Sequence, residues 1–267
     1  PSIEALANCD DELLHKLWEG LGYYSRVRNL KKAAQQICQQ YHGVFPNTYP
    51  QILALPGIGD YTAGAIASIA FNLPTPAVDG NVLRVLSRLC NDDAPIDLPE
   101  TKRAARELLT QIYPAEAGDF TQALMELGAT LCGPNRKPDC GRCPCKPICL
   151  ARQQGRAEAL PRKSPKKEKR QEDLTVFILS CQGRYALEKR PDKGLLAGLW
   201  QPAAWESALT REQLQDALQK LGIPAVLGES LPPAKHVFTH RIWQLGGWQG
   251  TAPAVPLPDG YVWAAKS

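Results

Sequence analysis

Nowhere in this sequence does an apolar run approach the ~20 residues a helix needs to cross a bilayer. No stretch near its start joins a basic segment to a short apolar one, so nothing reads as a secretory signal. Neither sign of charge dominates: 31 Lys and Arg face 27 Asp and Glu, a formal charge of +4. That balance permits a polyanionic partner without demanding one. The reading is therefore of a protein with no membrane partner, working in the cytoplasm. Apolar residues make up 44% of the 267 and charged residues 22%, which excludes disorder throughout and suits one large or two ordinary domains. Cysteine is not scarce. There are nine, an odd count, and five fall between Cys132 and Cys149. Clustered cysteines in a chain without a secretory signal argue for a metal site in a reducing compartment over disulfides.

Residues 1–150 lack any β-rich stretch and read as helical. Leu13, Leu14, Leu17 and Trp18 share one helical face, which ends at Gly20-Leu21-Gly22. Ala33, Ala34, Ile37 and Cys38 repeat the spacing between Leu30 and Tyr41. Residues 61–71 are small and apolar, as in a buried helix. Val82, Val85, Leu86 and Leu89 mark another helix over 80–90, and two more fit 100–112 and 119–131. After residue 155 the composition shifts. Residues 162–170 hold six Lys or Arg and one Glu, which reads more simply as a solvated tether than as a dedicated DNA-binding arm. Strands follow at Leu174–Leu179 and Arg184–Leu187, then a helix over 210–221 with Thr210 and Gln213 placed for a capping box. A strand pair or bend fits 235–245. There is no internal repeat. The architecture expected is a helical domain (1–155), a basic linker (156–173) and a smaller α+β domain (174–267).

Four patterns bear on chemistry. Cys132-x7-Cys140-x2-Cys143-x5-Cys149 places four soft thiolate ligands within 18 residues, and spacing alone leaves zinc and iron–sulfur both open. Cys145 reads as a spare thiol. Leu55-Pro56-Gly57-Ile58-Gly59-Asp60-Tyr61 sits between helical stretches. Its glycines would present bare amides at a helix start, where a phosphate binds well, although an ordinary helix–turn–helix corner looks the same. In Val78-Asp79-Gly80-Asn81-Val82, Asp79 is most simply an N-cap, a role that also holds a carboxylate rigidly. Gly20-Leu21-Gly22-Tyr23-Tyr24-Ser25-Arg26-Val27-Arg28 sets aromatics beside arginines. That suits stacking on bases with phosphate contacts, or equally a core tyrosine pair with solvated arginines.

In this order the four patterns resemble the helix-hairpin-helix DNA glycosylases that carry a [4Fe–4S] cluster, over residues 1–150. The resemblance implies that cluster on Cys132, Cys140, Cys143 and Cys149. Lyase members of the superfamily carry a Schiff-base lysine two residues after the second hairpin glycine. Here that residue is Tyr61, which resembles the monofunctional adenine branch, where water is the nucleophile. Leu195-Leu196-Ala197-Gly198-Leu199-Trp200-Gln201-Pro202 and His236-Val237-Phe238-Thr239-His240 are similar to the C-terminal domain of MutY-type adenine DNA glycosylases, a Nudix-like fold that reads 8-oxoguanine. Thr239 stands where that family usually has Ser. The Glu-rich metal box of an active Nudix hydrolase is reduced to Arg211-Glu212-Gln213-Leu214-Gln215-Asp216, so pyrophosphate hydrolysis is not expected.

The resemblance implies a monomer that removes adenine mispaired with 8-oxoguanine or guanine from double-stranded DNA. Asp79 would stabilise the oxocarbenium-like sugar, with the catalytic residues Tyr61 and Asn81 positioning Asp79 and the reacting sugar or water. Tyr23 would wedge into the base stack, and the amides of Gly57 and Gly59 would hold a phosphate. Phe238, Thr239 and His240 would contact the oxidised guanine. The cluster would be structural and hold a basic loop at Arg136 and Lys137 near DNA. One departure stands out. The family's general acid is a Glu in a segment of the form S-E-x-M-L-Q-Q-T upstream of the glycine–tyrosine run, and these 267 residues hold no match for it. The expectation is a truncated chain that is inactive alone. Two other readings remain: an endonuclease III-like glycosylase/lyase, against which Tyr61 and the C-terminal half count, and a non-catalytic DNA-binding remnant.

Overall fold

The computed structural model describes residues 2–134, 137–165, 168–254 and 256–265. The chain divides into two units, residues 1–165 and 166–267. Among the described residues no helix is long and apolar enough to cross a membrane.

The first unit is helical: α1 (Ile3–Ala7), α2 (Asp11–Leu17), α3 (Ser25–Tyr41), α4 (Tyr49–Leu53), α5 (Asp60–Phe71), α6 (Gly80–Leu89), α7 (Pro99–Ile112), α8 (Ala117–Glu126) and α9 (Leu150–Gln153). A π-helical turn, Leu127–Leu131, continues α8, so the single helix expected over 119–131 is in fact two geometries in sequence. The helix starts carry their own caps. The side chain of Ser2 accepts from Ala5 N, and that of Asp10 from Glu12 N and Leu13 N. The periodic apolar positions do the packing. Ala33 and Ile37 of α3 bury against Leu55, Ala63 and Ala67 of α5 against Ile52, and Val82, Leu83 and Leu86 of α6 against Ala105 and Leu109 of α7. Within this core Thr121 Oγ1 donates to Ser68 Oγ (2.7 Å), so a buried polar pair is satisfied internally.

Residues 156–165, expected as part of a tether, are held by the helical unit. Leu160 and Ala157 are buried with Cys149 and Ala151. Ile96 N donates to Arg162 O (3.0 Å), Ser164 N to an Asp97 carboxylate oxygen (2.8 Å), and Arg156 pairs with Asp93 at 2.6 Å. Basic composition concealed an apolar anchor at Leu160. Lys166 and Lys167 of the same stretch lie outside the described residues.

Among its described residues the second unit is a mixed sheet with one helix. Its elements are β1 (Arg170–Cys181), β2 (Arg184–Lys189), β3 (Trp200–Gln201), β4 (Ala203–Trp205), α10 (Arg211–Lys220), β5 (Val226–Ser230), β6 (Ala234–Val237), β7 (Arg241–Thr251) and β8 (Tyr261–Ala265). The main order is β3-β2-β1-β7-β5, with β4 on β1, β6 on β7 and β8 on β2. The β1–β7 pair is parallel, in register from Arg170↔Arg241 to Ser180↔Thr251. Both halves of the expected capping box form at Thr210 and Gln213. Leu214 and Leu218 of α10 then bury against Phe177, Leu179 and Leu227. The expected strand pair at 235–245 is the antiparallel β6–β7 hairpin, but β7 runs on to Thr251, and β1 starts four residues before the apolar run that announced it.

Candidate functional site

The most constrained polar cluster begins at the start of α6. Asp79 is its N-cap, and both carboxylate oxygens are engaged: Oδ1 accepts from Val82 N (2.8 Å), Oδ2 from Asn81 Nδ2 (2.9 Å). Asn81 Oδ1 in turn accepts from Arg84 Nη2 (2.7 Å), whose guanidinium also donates to Gly128 O (2.7 Å) and Cys132 O (2.7 Å). Gly128 permits this approach, because a Cβ there would lie 2.7 Å from Asn81 Cβ. Arg84 is buried, and burial lowers its pKa. Arg88, one turn on and also buried, donates to Leu160 O (2.9 Å), Cys132 O (3.1 Å) and Cys132 Sγ (3.0 Å). Arg84 thus joins the cap to the cysteine segment and Arg88 adds a second tie from α6 to Cys132; the sequence reading passed over both buried arginines. Their helical spacing, i and i+4 on α6, was the available signal.

Asp79 and Tyr61 line the same open cavity, about 830 Å³, with Lys102, Arg103, Arg106 and Lys163 among the other walls. Tyr61 stands in the first turn of α5 and is 43% exposed. The hairpin before it turns at Gly57, with φ +79°. A side chain there would be strained and would also meet Asn29 of α3 at 2.6 Å. Gly59 caps α5 with backbone alone, so the first amides of that helix receive no side-chain acceptor from their cap residue. Asp60 is braced by Tyr49 Oη (2.8 Å) and by Arg106 (3.2 Å), which also lies over the Tyr49 ring at 4.9 Å. Burial, then the hydrogen bond to Asp60, raises the Tyr49 pKa.

Tyr23 resolves one open alternative. It is 69% exposed with φ +48°, and Arg26 stacks on its ring at 5.0 Å, so it is no core residue. Tyr24 is the half-buried partner, edge-on to His15 at 6.0 Å.

Cys132, Cys140, Cys143, Cys145 and Cys149 line one cavity beside Arg88 and Arg152. Burial pushes the Cys140 thiol up, and the charges of Cys149, Cys132 and Cys143 push it further, so these sulfurs sense one another. Among the described residues no group of three or more His, Cys, Asp or Glu side chains is arranged around a single metal ion. Four soft thiolate donors converging on one space fit a polynuclear iron–sulfur group, and its positive irons would relieve the mutual repulsion. Cys145 lines this cavity too, so the structure alone does not set it apart as spare. Arg136 of the expected basic loop lies outside the described residues, and Lys137 pairs with Glu158 at 3.0 Å.

In the sheet unit Phe238, Thr239 and His240 sit at the tip of the β6–β7 hairpin. Phe238 N donates to Arg241 O (2.9 Å), which leaves Thr239 and His240 as an exposed two-residue loop. Phe238 is half-buried. Its ring packs edge-on against Trp243 (4.8 Å between centroids) and His236 (4.4 Å).

Residues 1–113 match the family described as HhH-GPD superfamily base excision DNA repair protein, and residues 175–267 match the NUDIX domain. Curated relatives include adenine DNA glycosylases of Homo sapiens (35% identical; all of this chain, 59% of the relative), Arabidopsis thaliana (40%; 81% and 36%) and Buchnera aphidicola subsp. Acyrthosiphon pisum (35%; 91% and 68%). The chain spans about 60% of the length of the mammalian relatives. Similar solved structures include a thermostable thymine-DNA glycosylase (TM-score 0.52, 29% identical; 57% of this chain, 70% of that one) and a trapped endonuclease III–DNA covalent intermediate (0.50, 26%; 58% and 71%). With a helix-hairpin-helix unit, a Nudix-like unit and this identity across both, the chain belongs to the adenine DNA glycosylase family.

Proposed function

We propose that this chain belongs to an enzyme that hydrolyses the N-glycosidic bond of adenine paired with 8-oxoguanine or guanine in double-stranded DNA. The observation that carries it is Asp79, whose two carboxylate oxygens are fixed by Val82 N and Asn81 at the wall of an open cavity shared with Tyr61.

The adenine swings out of the duplex into that cavity. As the bond to the base lengthens, positive charge grows on the sugar, and the pre-oriented Asp79 carboxylate stabilises it without having to reorganise. Asn81 keeps the carboxylate turned, and Arg84 keeps Asn81 turned. Tyr61 offers a hydroxyl, not an amine, so no Schiff base forms and water completes the reaction. Protonation of the departing base is assigned to a Glu of the kind the family carries upstream, which none of these 267 residues matches. The chain by itself is therefore expected to release adenine slowly. The α5 amides after Gly59 suit a DNA phosphate, Tyr23 suits insertion into the stack, and Phe238, Thr239 and His240 suit contact with the oxidised guanine. Cys132, Cys140, Cys143 and Cys149 would hold a [4Fe–4S] cluster, which supplies structural closure of residues 132–149. The protein acts as a monomer, in a reducing cytoplasm that keeps these thiols available.

The test is Asp79→Asn in a chain extended by the family's acid segment, assayed on duplexes with adenine opposite 8-oxoguanine. Release should fall by at least about a hundredfold, as losing one preorganised electrostatic group does elsewhere. Duplex affinity should be kept. Full activity in that variant would reduce Asp79 to a helix cap.

A further inference from the structure

The exposed tip of the β6–β7 hairpin rests on a polar network inside the sheet unit. Cross-strand register sets Glu172 of β1 beside Trp243 of β7, and Trp243 beside His236 of β6, so the three side chains share one face. The Glu172 carboxylate is largely enclosed, with 18% of its side chain exposed. Its Oε2 accepts from Trp243 Nε1 (3.0 Å), and both oxygens accept from Arg241 Nη1 (3.1 Å each). Arg170 stands 3.3 Å away. The Arg190 guanidinium lies over the Trp243 ring, 5.5 Å from its centroid. Arg190 is itself tied to Leu195 O (2.9 Å) and to Gln201. Phe238 then lies edge-on to Trp243, and Lys169 Nζ (to Phe238 O, 2.8 Å) and Arg170 N (to His240 O, 3.2 Å) tie the tip to the start of β1.

We infer that Glu172 is a positioning residue for the hairpin tip: by fixing Trp243 and Arg241 at once it holds Phe238, and so Thr239 and His240, in one presented conformation. This rests on reading that tip as the contact to the oxidised base. The arrangement has a clear physical purpose. A two-residue loop with exposed side chains is ordered only as far as its stem is, and a reading side chain must be held before contact to discriminate. Glu172 reaches two residues in the β7 stem of the tip, Arg241 by a charge-assisted pair and Trp243 by an indole hydrogen bond.

Three variants of the 267-residue chain test it, each read by hydrogen exchange over residues 234–243 and by the affinity ratio for duplexes with 8-oxoguanine·adenine over G·C. Glu172→Ala should speed exchange at residues 236–241 beyond the rest of the sheet. It should also lower the ratio by about threefold to tenfold, the span that one hydrogen bond supports. Affinity for G·C duplex should not change. Glu172→Gln keeps an acceptor for the Trp243 indole and should retain most of the ratio. Wild-type exchange at the tip in Glu172→Ala would overturn the assignment. So would a loss in Glu172→Gln as large as in Glu172→Ala, or faster exchange spread evenly through the sheet. Phe238→Ala separates the two layers of the argument. If Glu172→Ala loosens the tip while neither it nor Phe238→Ala changes the ratio, the positioning role stands and the lesion-reading role of the tip fails.

Discussion

Two tight turns, one in each unit, offer opposite kinds of surface. The Gly57–Gly59 corner presents backbone: a left-handed glycine, then a helix start whose cap has no side chain. The Thr239–His240 turn presents side chains on a stem braced by Glu172, Trp243 and Lys169. Backbone amides are the same whatever residue bears them, so the first surface suits a phosphate, which is the same at every nucleotide. Side chains differ in donors and shape, so the second suits a base edge. The function proposed above, holding any duplex and acting at one lesion, calls for both surfaces, and the two turns lie in different units.

The sharpest way to break that division is to remove one side of it. A chain ended before residue 171 should lose most of its preference for 8-oxoguanine·adenine over G·C while keeping salt-sensitive binding to any duplex, measured by titration at two ionic strengths. An undiminished preference would place lesion reading in the helical unit. Iron content comes next. The chain purified without oxygen should carry about four irons, as a [4Fe–4S] cluster requires. Cys143→Ser should lose them and Cys145→Ser keep them, and because Cys145 lines the same cavity, the reverse result would exchange their roles. Gly57→Ala acts on the phosphate side. A left-handed residue with a Cβ costs about 1–3 kcal/mol, and the clash with Asn29 adds to it, so the unfolding midpoint should drop. Binding to damaged and undamaged duplexes should weaken equally. An altered ratio between them would mean that the corner also reads bases.

The smallest expected effect concerns acid. Burial tends to raise the Glu172 pKa, but hydrogen bonds from Trp243 and Arg241 and the charges of Arg241 and Arg170 outweigh it and leave the carboxyl below its ordinary 4.5. A carboxyl depressed on folding stabilises the folded state at pH above its unfolded value. That contribution fades as pH falls from about 4.5 through the lower folded value. Asp93 behaves alike in the helical unit, chiefly through its hydrogen bond from Arg156. Thermal unfolding followed from pH 6 to pH 3 should therefore show a smaller acid loss for Glu172→Gln in the sheet unit alone. An identical pH profile would remove the carboxylate from the stability of that unit.

Much of the helical unit was legible because periodicity and caps are local. The apolar spacing of α3, α6 and α7, the Asp79 cap and the glycine corner all follow from residues within a few positions of one another. The Thr210–Gln213 capping box was legible for the same reason. Where the reading fell short, distant residues decided. Residues 156–165 look like a tether because their basic side chains are conspicuous, but Leu160 finds a pocket beside Cys149. Strand β7 was cut short because Gly246, Gly247 and Gly250 break any alternation, yet its parallel partner β1 carries it to Thr251. Whether Tyr23 was buried or exposed could not be told from composition, since either tyrosine of the pair fits either role.

By itself the sequence determined the order of the elements, the four-thiol spacing, the tyrosine in place of a nucleophilic lysine, and the carboxylate at the start of α6. Each depends on residue identity and short-range geometry. Only the tertiary structure decided that Arg84 ties that carboxylate's neighbour to Cys132, 48 positions away, that Arg88 reaches Cys132 across 44, and that Glu172 meets Trp243 across 71. Such partners are chosen by which helices and strands pack together, and a buried donor bonds to whichever acceptor the packing brings within reach.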